Sequence, residues 1–435
     1  MNHVVFRAAA GLGGLALSLK ALSVSAADWP QYHGPTSDGQ TPARIATDWS
    51  AHPPKVLWKT PTPGGFSILA VAGGRAYTVV LREVDGAQME VCLALDAATG
   101  RELWAAPLNL AKYDGGGDSG TPDNRGGDGP RSTPAVAGER VFVFDSRFKL
   151  HCLNAATGAT VWAHDLLAGF GGKMISWQNA ASPVLEGDLV LVAGGGAGQS
   201  LLAFRQADGA VVWKGGTETP THATPTVATI HGVRQVIFFT QSGLVACEVA
   251  TGRELWRQPY RFSVSTAATP VVSGDIVYCS AGYGVGAGAY RISREGETWK
   301  STELWRKTGN ELANHWSTPV VRDGYLYGMF SFKEFGSGPL KCVELATGRV
   351  VWSQKDFGPG GVVLTDGVLV ALTDRGEVVL VNPQPAGYAE LARFKAIAGK
   401  CWNRPVVTDG RVWVRSTREG ACLDVTPAPA QTAAR

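Results

Sequence analysis

Five short segments carry side chains suited to holding a ligand. Each stands just upstream of the same kind of phrase, a small residue, usually Ser/Thr-Pro, and a β-branched run. In chain order they offer Arg131, then Trp177, Gln178 and Asn179, then His222, then His315 and Trp316, then Trp402, Asn403 and Arg404. Arginine keeps its charge near neutral pH and tryptophan presents a flat stacking face, so a convergent set would hold a planar or anionic ligand. The alternative is that they plug a water-filled opening and satisfy backbone groups.

Other chemistry is thinner. Tyr113 to Gly129 reads YDGGGDSGTPDNRGGDG, with Asp114, Asp118, Asp123 and Asp128. Oxygen-rich loops bind calcium, but this spacing matches no calcium loop and a solvated insertion is favoured. Gly117-Asp118-Ser119-Gly120 lacks the flanking Gly-Pro and partner His and Asp regions of a serine protease. Gly282 to Gly288, GYGVGAG, follows a strand, but no helix or βαβ unit follows it, so a glycine-rich hairpin is expected in place of a dinucleotide loop. The eight histidines show no zinc spacing, and the seven cysteines form no Cys-Cys, C-x-x-C or C-x-x-C-H. No metal site is expected.

The elements that position the candidates come from repetition. "CLALDAATGRELW" at Cys92 returns as "CLNAATGATVW" at Cys152, "CEVATGRELW" at Cys247 and "CVELATGRVVW" at Cys342, with a looser "AFRQADGAVVW" at Ala203. Its closing tryptophans, Trp58, Trp104, Trp162, Trp213, Trp256, Trp305 and Trp352, are 46, 58, 51, 43, 49 and 47 residues apart, and Phe394 takes the eighth place. Each unit supplies four short strands, which is one propeller blade. Blades bury their faces only by stacking in a ring. The Thr-Gly step makes a tight turn, the preceding acid or amide caps it, and the Trp packs on the next blade.

The expected fold is therefore all-β: an eight-bladed β-propeller of four-stranded antiparallel blades over residues 53–426. The last unit lacks its Val-Trp strand and Pro53 to Pro61 supplies one, so N- and C-terminal strands pair to close the ring. Residues 28–52 are read as an N-terminal strap whose removal leaves the ring intact, and 427–435 as a disordered tail. Cys152, Cys342 and Cys422 occupy one equivalent repeat position, so buried free thiols are expected over disulfides.

Residues 1–27 read as a signal peptide: Arg7, an uncharged run from Ala8 to Leu19, then Ser25-Ala26-Ala27. Cleavage near Ala27 would leave a periplasmic or secreted chain with no integral membrane segment. It removes Arg7 and Lys20 and so lowers the formal net charge from +3 to +1. That balance indicates no nucleic-acid partner.

The repeated phrase resembles the pyrroloquinoline-quinone (PQQ) repeat, whose tryptophan docking motif is the Gly-to-Trp segment. "DWPQYHGPTSDG" at Asp28 resembles the start of secreted PQQ-like propellers, most without assigned activity. Two kinds of relative follow from the resemblance. Quinoprotein alcohol and sugar dehydrogenases hold PQQ and calcium on the propeller axis, and BamB-like assembly lipoproteins hold no PQQ and work through protein contacts. The dehydrogenases' Cys-Cys, their calcium ligands and long loops have no match here; the lipoproteins' anchor cysteine has none either. The favoured expectation is a non-catalytic binding or scaffold protein, taking a protein, glycan or small anionic ligand at the mouth. The alternative is a periplasmic PQQ-dependent oxidoreductase with an axial cofactor site, in which case PQQ and calcium are its cofactors.

Overall fold

The computed structural model describes residues 28–113, 129–260, 262, 266–330, 332 and 334–428. The signal segment, the four aspartates of the 114–128 insertion and the chain from 429 onward lie outside the described residues.

Eight antiparallel sheets form the ring. Blade 1 runs Ala70–Ala72, Arg75–Val84, Ala87–Asp96 and Glu102–Leu110, and blades 2 to 7 repeat the order. Blade 8 takes Val406–Thr408, Arg411–Arg415 and Glu419–Asp424 from the C-terminus and Lys55–Pro61 from the N-terminus, paired antiparallel from Lys55↔Asp424 to Pro61↔Glu419. The expected strand exchange is thus the closure. The one helix among the described residues, Leu166–Phe170, links blades 2 and 3.

The repeated phrase builds the blade-to-blade joint. Asp96 Oδ1 accepts from the Ala98 and Thr99 amides, and Asn154 Oδ1 from those of Ala156 and Thr157. The turn glycines Gly100, Gly158, Gly209, Gly252 and Gly348 all have φ between +68° and +75°. The indole of the preceding blade lies flat on this turn. Trp58 donates to Ala97 O at 3.0 Å, Trp104 to Ala155 O at 3.0 Å, Trp213 to Val249 O at 2.8 Å and Trp305 to Leu345 O at 2.8 Å. A Cβ on Gly252 would stand 2.5 Å from the Trp213 ring, so glycine is required for contact as well as for backbone conformation.

Within its own blade each Trp sits opposite a small residue: Ala94, Cys152, Ala203, Ala246, Ala289, Cys342 or Cys422. This explains three cysteines as small apolar partners of an indole. All seven thiols are buried and unpaired. Trp256 departs from the rule: it bonds Gln235 Oε1 in its own blade at 2.8 Å. Blade 5 replaces the Thr-Gly turn with the long hairpin Gly286–Glu295 and Thr298–Lys307.

Residues 28–52 differ from the expected strap. Residues 28–41 run along the inner strands of the ring, and 42–52 lead out past exposed turns of blades 7 and 8. Trp29 and Val71 exchange backbone hydrogen bonds (2.7 and 2.8 Å), Pro30 O accepts from Val136 N and Gln31 Oε1 from Leu185 N. Ser37 O accepts from Thr226 Oγ1, and His33 Nε2 bonds Thr269 Oγ1 at 2.8 Å. Gln40 donates to Val321 O, Gln40–Thr41 adds a parallel fifth strand to blade 7, and Ala46 N donates to Val425 O. All eight blades are contacted. Trp29 has no exposed surface. The segment is an internal plug because the inner strands leave backbone and threonine groups along the channel that need partners.

Candidate functional site

The loops that lead into the inner strands converge at one end of the channel. There Arg131, His222, Trp316, Trp402 and Asn403 line a cavity of about 50 Å³ together with Tyr32, Phe66, Ala180, Thr224 and Ala267. Five of the ten sequence-derived candidates therefore meet, drawn from the approaches to blades 2, 4, 6 and 8.

The other five stand apart. Trp177 packs edge-on to His222 at 6.5 Å, and its carbonyl accepts from Arg131 Nη1 at 2.8 Å. Trp177 and Gln178 both hold left-handed backbone, φ +61° and +60°. Asn179 is buried, and its Nδ2 donates to the carbonyls of Phe144, Asp145 and Ala181. That amide ties blade 2 to the approach to blade 3 and has no donor left for a ligand. His315 is buried behind Trp316, among Tyr283 and Phe332.

Arg404 differs most from the sequence reading, which set it facing the mouth. It is 3% exposed, below the cavity and against the plug. Nη1 bonds His33 Nδ1 at 3.1 Å, Nη2 donates to Thr318 O at 3.3 Å, and the guanidinium lies over the Tyr32 ring at 5.1 Å. Burial lowers its pKa. Since Arg404 donates to Nδ1, the bond to Thr269 leaves His33 as the neutral Nε2–H tautomer. Burial, then the Arg404 charge, holds His33 well below the usual histidine range. The pair locks the tip of the plug in place and offers the mouth no charge.

Three contributors escaped the sequence reading. Tyr32 belongs to the plug and lines the cavity from inside. Phe335, in the loop between the second and third strands of blade 6, stacks on Trp402 at 4.7 Å and 12°. Lys400 Nζ lies 4.5 Å from the Trp402 ring centre. Neither Phe335 nor Lys400 immediately precedes a Ser/Thr-Pro phrase, the only positional signal available.

Aromatic planes dominate the result. Phe66 stacks on Trp402 at 5.4 Å and 17°, and Trp402 on Trp316 at 5.1 Å and 18°. Burial, then the Arg131 charge, pushes the His222 pKa down to about 3, so His222 is neutral at physiological pH. Asn403 Nδ2 donates to Phe66 O at 3.4 Å, while its buried Oδ1 has no partner among the described residues. Among the described residues no carboxylate lines the cavity.

A family model described as outer membrane protein assembly factor BamB matches residues 87–354. Assembly factors of that name from Moranella endobia and Shewanella oneidensis are 24% and 27% identical over 295 and 256 residues, which cover 66% and 56% of this chain. The chain spans about three fifths of the length of these curated relatives (59% and 61%). Among solved structures, BamB from Moraxella catarrhalis superposes with a TM-score of 0.58 at 14% identity, covering 87% of this chain and 99% of that one. A quinohemoprotein alcohol dehydrogenase from Comamonas testosteroni gives 0.64 at 13%, covering 93% and 82%. At these identities the structural likenesses show the shared propeller and no more.

Proposed function

Because the chain belongs to the family of the outer membrane protein assembly factor BamB, we propose that it is an exported, non-catalytic propeller. It binds a protein or small-molecule partner at the mouth and works as a scaffold on the periplasmic side or outside the cell, after cleavage near Ala27. One observation carries the reading: the mouth of the channel is crowded. The plug contacts every blade, and Tyr32 and the aromatic wall reduce the mouth to about 50 Å³. Pockets for cofactor-sized molecules run from about 300 Å³ upward, so PQQ does not fit here. Calcium takes six to eight oxygen ligands, largely carboxylates and carbonyls, and among the described residues no carboxylate lines the cavity. Among the described residues no group of three His, Cys, Asp or Glu is placed to hold a metal.

The test is reconstitution of the mature chain with PQQ and calcium, followed by gel filtration, absorbance spectroscopy and dye-linked alcohol and sugar oxidation. The expected result is no stoichiometric quinone in the protein peak and no turnover. Saturable quinone binding with turnover would overturn the reading in favour of the periplasmic oxidoreductase.

A further inference from the structure

We propose a second site at the far end of the channel from the mouth. There an extended peptide segment with small side chains, supplied by a partner protein, adds to the open inner edge of blade 4. A cavity of about 230 Å³ stands at this place. Its walls are the inner strands of blade 4, Thr226–Ile230, and blade 5, Val271–Ser273, with the plug from Thr36 to Asp38. Exposed Thr229 and Gly274 lie at its rim. It therefore opens where the inner strands end, whereas the mouth lies where they begin.

The register of blade 4 leaves its edge open. The inner strand turns through His231 (φ +46°) and Gly232 (φ +76°) into Val233–Thr240. Such a two-residue turn closes on a hydrogen-bonded pair, here Ile230↔Val233, and bonded and non-bonded pairs then alternate. Thr229↔Arg234 and Val227↔Val236 are thus non-bonded pairs, and the N–H and C=O groups of Thr229 and Val227 point out of the sheet toward the channel. Amides in the same register elsewhere are matched by the plug. Val71 N donates to Trp29 O, Val136 N to Pro30 O, Leu185 N to Gln31 Oε1 and Leu364 N to Gly39 O. Those of Val227 and Thr229 have no partner among the described residues. The plug meets blade 4 at the Thr226 hydroxyl, through Ser37 O, and then bends away at Ser37 and Gly39, φ +60° and +75°.

Strand length points the same way. The inner strands of six blades are three residues long, and those of blades 4 and 7 are five. Blade 7 carries the fifth strand Gln40–Thr41, and blade 4 has four strands. A peptide backbone is the ligand whose groups match this edge, since it presents N–H and C=O at strand spacing. Size sets the side chains. The cavity equals about eight of the roughly 30 Å³ that a water molecule occupies in the liquid, room for a few small residues. Val227, Pro270, Val271 and Pro319 give it apolar walls, and Thr226 and Thr229 add hydroxyls, which suits alanine, valine and threonine.

The experiment is isothermal titration and amide hydrogen exchange of the mature chain with the peptide acetyl-Lys-Thr-Val-Thr-Ala-Thr-amide. The comparison ligand is the same peptide N-methylated at its inner amides. The first peptide binds saturably, and at ten times its dissociation constant it slows exchange at Val227 and Thr229 about tenfold. The methylated peptide has lost its donors and binds about tenfold more weakly or worse. Thr229→Pro removes a donor from the open edge and none from the ladder within blade 4, so it weakens the peptide to a similar degree with a melting temperature near wild type. The methylated peptide is tested on the wild-type chain, so the comparison stands if that variant does not fold. The proposal is overturned by no saturable binding, by equal affinity for the two peptides, by protection that falls outside 226–230, or by undiminished affinity in folded Thr229→Pro. The result is independent of what the mouth binds.

Discussion

Replacing Gly252 by alanine tests the docking joint at one atom. Gly252 has φ +71°, and the new Cβ would meet Trp213 Cδ2 at 2.5 Å. Gly274 has φ +59° with nothing within 4 Å of a Cβ, so Gly274→Ala carries the backbone cost alone, about 1–2 kcal/mol. At Gly252 the same cost is joined by overpacking. Carbon atoms rest about 3.5–4.0 Å apart, so the indole must retreat by about 1 Å, and such overpacking costs about 1–3 kcal/mol. The retreat also stretches the 2.8 Å bond from Trp213 to Val249 O, worth about 1 kcal/mol. Gly252→Ala should therefore lose about 2–4 kcal/mol more than Gly274→Ala. In a Trp213→Ala background, itself costing about 3–5 kcal/mol, the excess should vanish because the ring is gone. Urea denaturation followed by far-ultraviolet circular dichroism measures all four proteins. Equal losses at the two glycines, or strict additivity at Trp213 and Gly252, would refute the joint as described.

Two further outcomes are expected. Glu90 is fully buried beside Asp145, and burial followed by that charge raises its pKa above the usual glutamate value. The folded state then holds its proton more tightly than the unfolded one, so stability is full at low pH and falls as pH rises from the unfolded pKa through the folded one. Glu90→Gln keeps acceptors for Asn109 and Ser146 and can donate to Tyr113. Its melting temperature should gain on wild type as pH rises above the ordinary glutamate range, and parallel pH profiles would show that burial of Glu90 is not a source of this pH dependence. Trp29→Ala should cost about 3–5 kcal/mol and open the plug to limited proteolysis, whereas His52→Ala, on an exposed turn, should do neither; matching digestion patterns would mean that the plug is held without Trp29.

Most of the ring was legible because the joint recurs in nearly the same residues: a turn glycine in five blades and, in seven, a tryptophan with a small residue opposite it. Even the exception had a sign, since blade 5 has no Thr-Gly turn and Trp256 accordingly turns to Gln235. The plug was not legible. Asp28 to Asp48 has no apolar period, its only strand is two residues long, and its conformation is fixed by one or a few hydrogen bonds to each of eight separate blades. The misplacement of Arg404 follows from the same gap. Position before an inner strand brings a residue to the axis, but His33 and Tyr32 decide where its guanidinium rests. Arg415 is a comparable case: it reads as a strand-end surface cation, yet it is 1% exposed and donates to the carbonyls of Ser67, Thr62 and Gly64.

The clasp in blade 8 orders events in time. Lys55–Pro61 emerges early in synthesis and has no partner until Glu419–Asp424 arrives. The plug likewise touches blades 1 and 2 long before blades 7 and 8 exist. Early blades can pair within themselves, but the ring and its crowded mouth form only when the last strand is present. Loop closure over nearly the whole chain makes that step slow. Until then the first strand is an open edge, able to pair with a neighbouring chain. On the proposed export route the chain would complete this clasp only after its passage, so the joining of the two ends would tie maturation to the end of that passage.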